Sequence, residues 1–598
     1  MPALSSPPSL FSDAAPFSQP KKSAPRAVWT PKTRVVAADE FIARQARVSP
    51  VAAALLRQRG FTTAASIDAF FHPSPAVLRD PQALPDIEKA VARLIRAIED
   101  GQKILIFGDY DADGVTSTAL LVRSLRLLGA KVDWRLPERL EGYGLTPAVI
   151  TDAHAAGFDL IMSADCGITA IEPAKLARQI GIDLIITDHH EPSSELPDAI
   201  AVVNPKRHDS TYGFDGLSGC GVAFKVMQAL ITAYNPRLLP SFSQKYLDLV
   251  ALSTIADCVP LCDENRYLAS EGLRRLYDTK KAGLRALIES MSAKDAAKRY
   301  DKGFFIGRDV SWGLAPRLNA AGRLASPRLA LELLLCDDPD ECQERAQELN
   351  AINTQRKTDQ EIALRGALEL VESQTNLDSD LLLVAAHPSW HRGIVGLIAG
   401  KLVERYHRPA FALSIHNGHA HGSGRSIHGF DLHALIEATR AHLSSGGGHA
   451  AACGLSLPEA NIESFRSAAL DFAAQTLTLD DLKPTLTPDC EVSGTHLDGE
   501  LTRDLALMEP CGTGNEEPKF LLRGARVEGA RAFSMGRHLE LTLRQDNRRL
   551  RAIWWGKGDR LGEFRVGSYL ETIFVPKPDT YTGNGEIQLI IDDARLEL

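Results

Sequence analysis

Three apolar runs between residues 104 and 190 each end in a carboxylate. Ile104-Leu-Ile-Phe107 runs into Gly-Asp109-Tyr-Asp111-Ala-Asp113-Gly114, residues 158–163 into Ala-Asp165-Cys-Gly167, and residues 182–187 into Asp188-His189-His190. Short apolar runs bounded by turn residues read as buried strands, and apolarity on both faces marks parallel ones. Helical patterns over 115–128 and 170–180 separate them, so the order is strand, helix, strand, helix, strand. Open parallel sheets bind ligands in the crevice outside the carboxyl ends of their strands. Acid and imidazole are therefore expected to converge at one edge. A fourth contributor is Asp257 in Ser253-Thr-Ile-Ala-Asp-Cys-Val-Pro-Leu261, where a helical pattern over 246–256 stops at an acid shortly before proline.

Three carboxylates gathered by a turn repel each other unless a cation neutralises them, which points to a hard divalent metal. Residues 109–114 alone would also fit a solvated acidic loop with an Asp helix cap. The recurrence of the pattern downstream favours the metal. Phosphodiester hydrolysis uses such a site well, since two cations about 3.5–4 Å apart activate water and neutralise the leaving oxygen. One carboxylate must then bridge the pair, and Asp165 on the central motif is the natural choice.

Asp-x-Asp-x-Asp-Gly, a strand-end Asp-x-Gly, Asp-His-His and Ala-Asp-x-Val-Pro-Leu occur here in the order found in the DHH phosphoesterases. The likeness is to the RecJ branch, single-strand-specific 5′→3′ DNA exonucleases, and it extends over roughly residues 30 to 598. Gly313-Leu-Ala-Pro-Arg317-Leu-Asn319-Ala-Ala-Gly-Arg323-Leu324 is similar to the segment after the first RecJ domain. Trp390-His391-Arg392-Gly-Ile-Val-Gly396, Gly422-Ser423-Gly-Arg425 and Gly446-Gly447-Gly448-His449-Ala450 resemble the DHH-associated domain. Glu509-Pro-Cys-Gly-Thr-Gly-Asn515 is similar to a RecJ motif that carries Phe where Cys511 stands.

The resemblance implies an α/β fold of two lobes, DHH and DHH-associated, joined by a long helix, plus a C-terminal OB-like β-barrel. It implies two bound cations, Mn2+ or Mg2+: Asp113, Asp165, His189 and Asp257 for one, and Asp109 or Asp111 with Asp165 for the other. A mixed imidazole and carboxylate set suits Mn2+ better than Mg2+. His190 is expected to contact phosphate or donate a proton, with Asp188 orienting an imidazole. The glycine-rich segments expose backbone N–H groups to phosphate, and Arg425 adds a forked donor with Ser423 beside it. Arg317, Asn319, Arg323, His391, Arg392, Gly447, Gly448 and His449 complete the expected substrate contacts. For Arg317 and Arg323 an interdomain salt bridge is the competing reading.

Composition enters where partners are concerned. Net charge is −9 at pH 7, so nucleic-acid binding must come from local patches. Residues 519–560 supply one, with eleven Lys and Arg against four Asp and Glu, and Phe533, Trp554 and Trp555 among them. Charge with interleaved rings suits single-stranded nucleic acid. Strand alternation should bury one of the two tryptophans, leaving at most one to stack on bases. Five short β-rich runs from 520 to 591 suggest the barrel. Ten of the seventeen histidines fall between residues 387 and 449, and His416-x-x-His419-x-His421 is read as a loop near the cleft rather than a metal site.

The expected division is a disordered tail (1–27), an N-terminal region with the DHH domain (28–290), a connecting segment and long helix (291–375), the DHH-associated domain (376–480) and the barrel (486–598). Nine cysteines without CxxC pairing argue for reduced thiols and a cytoplasmic location, and no run suits a membrane span or signal peptide. The expected activity is single-strand exonuclease, 5′→3′, releasing 5′-mononucleotides in DNA repair and recombination. A monomer is expected, with a helicase and a single-strand-binding protein as accessory partners. The competing readings are a DHH phosphodiesterase of short oligonucleotides or cyclic dinucleotides, and a non-catalytic DNA-binding relative resembling Cdc45.

Overall fold

A computed structural model of the protein describes residues 26–139, 144–291, 305–579 and 587–597. The expected tail at 1–27 lies outside these but for its last two residues. The chain forms two compact units, one built on Lys357–Thr485 and the other on Trp29–Arg356 with Leu486–Leu598.

The larger unit begins with three short helices, α1 (Val36–Ala46), α2 (Pro50–Gln58) and α3 (Ala64–Phe71). Ser49 caps α2, with Pro50 at its first position, and Thr63 caps α3, each side chain accepting an early backbone N–H. A parallel five-stranded sheet follows: β1 (Lys103–Phe107), β2 (Lys131–Arg135), β3 (Leu160–Ser163), β4 (Asp183–Thr187) and β5 (Ala201–Val203). Its order is β2-β1-β3-β4-β5, so strand order reverses at β1 and β3. Alternation sorts the apolar side chains. Ile104 and Ile106 enter the core shared with Leu120, Phe224 and Leu249, while Leu105 and Phe107 join Ile150, Ile161 and Ile186 on the other face.

Helices α4 (Ala112–Leu127), α5 (Gly219–Tyr234) and α6 (Leu247–Ala256) pack in the first of these cores. α4 is buried nearly all round, the condition under which a helix loses its polar stripe. Helices α7 (Asp263–Tyr277) and α8 (Ala315–Leu324) complete this part. Two helices follow, Arg328–Leu335 and then α9 (Pro339–Gln374), which starts on its proline and carries the chain from one unit into the other.

In the smaller unit β6 (Leu383–His387), β7 (Ala410–His416), β8 (His419–Arg425), β9 (Ser445–Gly448) and β10 (Ala452–Pro458) make a mixed sheet. Its order is β9-β10-β8-β7-β6, with only β6 and β7 parallel. Helix α10 (Val395–Tyr406) connects those two, as a parallel pair requires.

The C-terminal segment forms β11 (Cys490–Val492), β12 (Phe520–Phe533), β13 (His538–Gln545), β14 (Arg548–Trp554), β15 (Tyr569–Pro578) and β16 (Ile587–Leu596). Pairing of β12 with both β13 and β15 closes a five-stranded barrel, β12-β13-β14-β16-β15. Closure removes the exposed edges. The core of this barrel extends beyond its own strands. Ile42, Val51, Leu55, Leu56, Ile67 and Phe70 of the N-terminal helices pack with Cys490, Phe520, Leu522 and Phe574, so residues 36–71 share their core with the barrel and not with the parallel sheet. An amphipathic helix announces that a face is buried, not which distant segment covers it.

Candidate metal centre and substrate contacts

The reversal of strand order places the loops after β1 and β3 side by side, and these carry Asp109, Asp111 and Asp165, with Asp113 in the first turn of α4. His189 enters from the end of β4. Its Nε2 lies 3.1 Å from Asp165 Oδ1, 3.5 Å from Asp257 Oδ2 and 3.7 Å from Asp113 Oδ2. Three sets of donors come within sharing distance of one ion: Asp165, His189 and His190; Asp113, His189 and Asp257; and Asp109, Asp111 and Asp165. Asp165 belongs to two of them. All such groupings among the described residues lie here, so His416, His419 and His421 form no cation site.

Local structure holds Asp111 and Asp113. Asp111 caps α4, its Oδ1 accepting from the N–H groups of Asp113 and Gly114 at 2.9 and 3.1 Å, so the metal and helix-cap readings of this residue are both served by one carboxylate. Asp113 is buried, and its oxygens accept from Gly219 N (2.7 Å), Cys220 N (2.8 Å) and Ser253 Oγ (2.6 Å). The first two are the free N-terminal N–H groups of α5, a natural seat for an anion. Asp165 sits in the left-handed region at φ 64°. A Cβ on Gly219 would stand 2.5 Å from its Oδ1, so only glycine allows α5 to approach this closely. Ser218, Gly219 and Ser253 escaped the sequence reading. Their signal was a Ser cap followed by small residues at 218–221, legible as a helix start but silent on what it faces.

Burial and mutual repulsion push the acids up. Asp109 and Asp165 stand well above the usual carboxylate range, through burial first and then Asp111 for the one and Asp113 for the other. Asp257 is raised to about 8 by burial, Asp113 and Asp111. His189 is lowered by its own burial. Asp109 Oδ1 and His189 Nε2 are buried with no hydrogen-bond partner. Desolvated acids around a neutral imidazole, with orphaned lone pairs aimed inward, fit a divalent cation.

A pH dependence follows. A carboxylate raised by burial is protonated below its folded pKa, so a cation must displace that proton. Mn2+ affinity is expected to climb from pH 6 to about pH 8, where Asp257 ionises, and to flatten above it. Calorimetric titration in buffers of different ionisation heat checks this, since proton release should accompany binding at pH 6.5 and fade by pH 9. A flat affinity over that range would contradict the arrangement.

Asp188 is a buried clamp. Oδ2 accepts from Ile168 N at 2.9 Å, and Oδ1 accepts from His189 N at 2.7 Å and His190 N at 3.1 Å and meets His190 Nδ1 at 2.8 Å. Although burial alone would lower it, His190 is raised to about 9 by Asp188, so it is a cation at neutral pH. Asn204 Nδ2 donates to the His190 carbonyl at 2.9 Å and fixes the turn.

Two of the expected substrate contacts make hydrogen bonds within the fold. Arg317 is buried, donating to Asn350 Oδ1 (3.0 Å) and the Gly313 carbonyl (2.6 Å), so it ties α8 to α9. Asn319 Oδ1 accepts from Ala112 N at 2.8 Å and braces the acidic loop, while Gly322 packs on the Tyr110 carbonyl. Arg323 is half-buried near Tyr110. A motif of small and basic residues looks the same in sequence whether it grips a ligand or supports the loop that does.

In the smaller unit the register sets Gly447 and Ser423 on either side of Gly454, and Gly448 and Gly424 on either side of Cys453. Arg425, opposite Ala452, donates to Ser423 Oγ at 2.7 Å and the Gly424 carbonyl at 2.8 Å, and both side chains lie over Gly396 in the first turn of α10. Burial lowers the Arg425 pKa, and no carboxylate pairs with it among the described residues. A half-buried guanidinium without a counter-ion, beside a helix N-terminus, is a seat for an anion. His391, Arg392 and His449 are exposed.

In the barrel Trp554 is buried, with the Arg560 guanidinium 4.5 Å over its ring and Phe564 edge-on. It is a core residue and stacks on no base, since strand alternation turns it inward opposite Leu539. Trp555 is 53% exposed, in a cluster with Phe533 and His538. Much of the basic excess is spent internally: Arg531 and Arg551 pair with Glu540, Arg544 with Glu528, Arg523 with Glu571, and Arg560 with Glu563.

Comparison with known proteins agrees with this architecture. Residues 103–254 match the DHH family N-terminal domain, 379–475 the DHHA1 domain and 488–593 the RecJ OB domain. The chain is 37% identical over 557 residues to the single-stranded-DNA-specific exonuclease RecJ of Bacillus subtilis (strain 168), covering 92% of this chain and 69% of that one. With the RecJ of Escherichia coli (strain K12) it shares 36% identity over 502 residues, 81% of this chain and 85% of the other. The crystal structure of RecJ with Mn2+ from Thermus thermophilus aligns at a TM-score of 0.81 and 30% identity, over 96% of this chain and 80% of that chain. Its Mg2+ complex aligns at 0.76 and 29%, over 96% and 79%. With the acids and histidine at the switch point and this identity along most of its length, the chain belongs to the RecJ family of single-stranded-DNA-specific exonucleases, metal-dependent nucleases of the DHH class.

Proposed function

We propose that this protein removes 5′-mononucleotides from single-stranded DNA, in the 5′→3′ direction, with two divalent cations, Mn2+ or Mg2+. The convergence of two donor sets on Asp165 carries the reading. Asp113, Asp165, His189 and Asp257 would hold one cation, and Asp109, Asp111 and Asp165 the other. When bound, such a pair supplies an activated water and neutralises charge on the attacking and leaving oxygens. Asp165 would be shared by both, and the hydrogen bonds to Asp113 hold that carboxylate in place. His190, charged through Asp188, donates from Nε2 to a phosphate oxygen next to the scissile bond. The polarity is proposed on family likeness. Duplex DNA requires prior strand separation, so a helicase and a single-strand-binding protein are the natural suppliers of substrate. The OB match over 488–593 favours polymeric strands over cyclic dinucleotides.

Arg425 is proposed to hold the terminal phosphate. Arg425→Ala should lower the rate about ten- to hundredfold, the loss of a charge-assisted hydrogen bond of about 1.5–3 kcal/mol. Lysine should restore only part, since it lacks the planar fork. Rates on strands with and without a 5′-phosphate decide it, with Mn2+ binding as the control. Equal preference for the phosphorylated end in wild type and both variants would assign the grip elsewhere.

The function itself is tested with single strands labelled at either end, incubated with Mn2+. Immediate release of a labelled mononucleotide from the 5′ label, with the 3′ label retained in shortening fragments, is expected. Release from the 3′ label first would reverse the polarity, and internal cuts from the outset would exclude an exonuclease.

A further inference from the structure

Asp257 differs from the other acids of the centre. Asp113 is fixed by backbone and hydroxyl donors and Asp111 by its helix cap, whereas no such donor reaches the Asp257 carboxylate among the described residues. It stands one residue past α6, followed by Cys258 in the left-handed region at φ 57°. A non-glycine residue stays there only when its surroundings impose it. The position of Asp257 therefore depends on what holds the backbone beyond it.

We infer that the loop Glu509–Asn515, which leads into the barrel, is a positioning element for Asp257. The Thr513 carbonyl accepts from Leu261 N at 2.7 Å. Gly514, at φ +73°, lies on Pro260, and a Cβ on Gly512 would stand 2.8 Å from Leu261 Cδ1. The loop is itself rigid. Gly512 and Asn515 exchange backbone hydrogen bonds at 2.9 and 3.0 Å, and the buried Asn515 side chain donates to the carbonyls of Met508 and Pro510, both at 2.8 Å. From α7, Arg266 stacks 3.6 Å over the Phe70 ring and donates to Leu507, Met508 and Glu509 carbonyls at 3.1–3.3 Å.

The same segment reaches the rest of the centre. Asn265 Nδ2 donates to Pro260 O at 3.0 Å and to Gly216 O at 2.5 Å, and Gly216 lies just ahead of the turn that seats Asp113 and Asp165. The loop ahead of the barrel thus sets the position of a carboxylate that follows α6, a second role for a module matched to an OB fold. The loop touches Pro260 and Leu261 through Gly512, Thr513 and Gly514, so the contact does not depend on Cys511.

The inference rests on Asp257 being a cation ligand, and the experiment separates the two claims. Mn2+ binding is followed by the resonance signal of free Mn2+, without substrate, in the full-length protein and in Gly512→Ala, Gly512→Val and Asp257→Asn. Ile67→Ala, in the core shared with the barrel, serves as a control of comparable loss in Tm. Gly512→Val is expected to weaken Mn2+ binding about tenfold, the size of effect seen when a ligand loses its outer support. Ile67→Ala should leave it unchanged, and Gly512→Ala, which meets only the tip of Leu261, should fall between. High Mn2+ should restore most of the cleavage rate of Gly512→Val. A folded Gly512→Val, or Gly512→Ala where the valine does not fold, that binds Mn2+ like wild type while Asp257→Asn does not, overturns the positioning role. Unchanged binding in Asp257→Asn overturns the ligand assignment beneath it.

Discussion

Asp165→Asn is expected to reduce hydrolysis of single-stranded DNA more than about a thousandfold, equivalent to about 4 kcal/mol of transition-state stabilisation. The carboxylate lies in two of the three donor sets, so its loss should disturb both proposed cation sites at once. Asparagine is the informative substitution. Asp165 has φ 64°, where alanine carries a backbone penalty of about 1–2 kcal/mol that Asn largely escapes. The amide also keeps the volume beneath Gly219, where packing leaves no slack. Single-strand binding and Tm should stay close to wild type, and Mn2+ stoichiometry should fall. Asp165→Ala should lose the same activity but melt earlier. A folded Asp165→Asn that cleaves at a rate near wild type would remove Asp165 from the bridging position.

Deletion of residues 486–598 is expected to do more than remove a DNA-binding module. Ile42, Val51, Leu55, Leu56, Ile67 and Phe70 would lose the core they share with β12 and its neighbours. Side chains of this kind contribute about 1.5–3 kcal/mol each when fully buried, together on the order of 10 kcal/mol. That is comparable with the whole stability of a domain. A fragment 29–485 should therefore aggregate or melt far below the full-length protein. A fragment 76–485, without the orphaned helices, should be more soluble and retain slow cleavage of very short oligonucleotides. Solubility, melting by circular dichroism and a dinucleotide cleavage series compare the two. Equal stability of both fragments would show that the N-terminal helices stand without the barrel. Binding of long strands should weaken in either fragment. The drop in salt dependence should be smaller than eleven basic residues suggest, because several are already paired with Glu528, Glu540, Glu563 and Glu571.

The sequence by itself determined the parallel strands and the chemistry at their ends. An apolar run stopped by Asp109, Asp165 or Asp188 is local information: burial on both faces selects the residues of the strand, and polarity resumes where the strand leaves the core. The order of those motifs also specified the family, and alternation foretold that one of Trp554 and Trp555 would turn inward. Tertiary structure decided what local patterns leave open. Arg317 and Arg425 are both basic residues in small-residue motifs, yet one is buried against Asn350 and a carbonyl while the other, among the described residues, has no carboxylate partner. Nothing within a few residues of either distinguishes them. The N-terminal helices found their core more than four hundred residues downstream, and Leu261, just past Asp257, bonds to a loop that leads into the barrel. Both are pairings of surfaces distant in sequence. A residue's own pattern encodes that it must be buried or braced, and only the folded chain selects the partner.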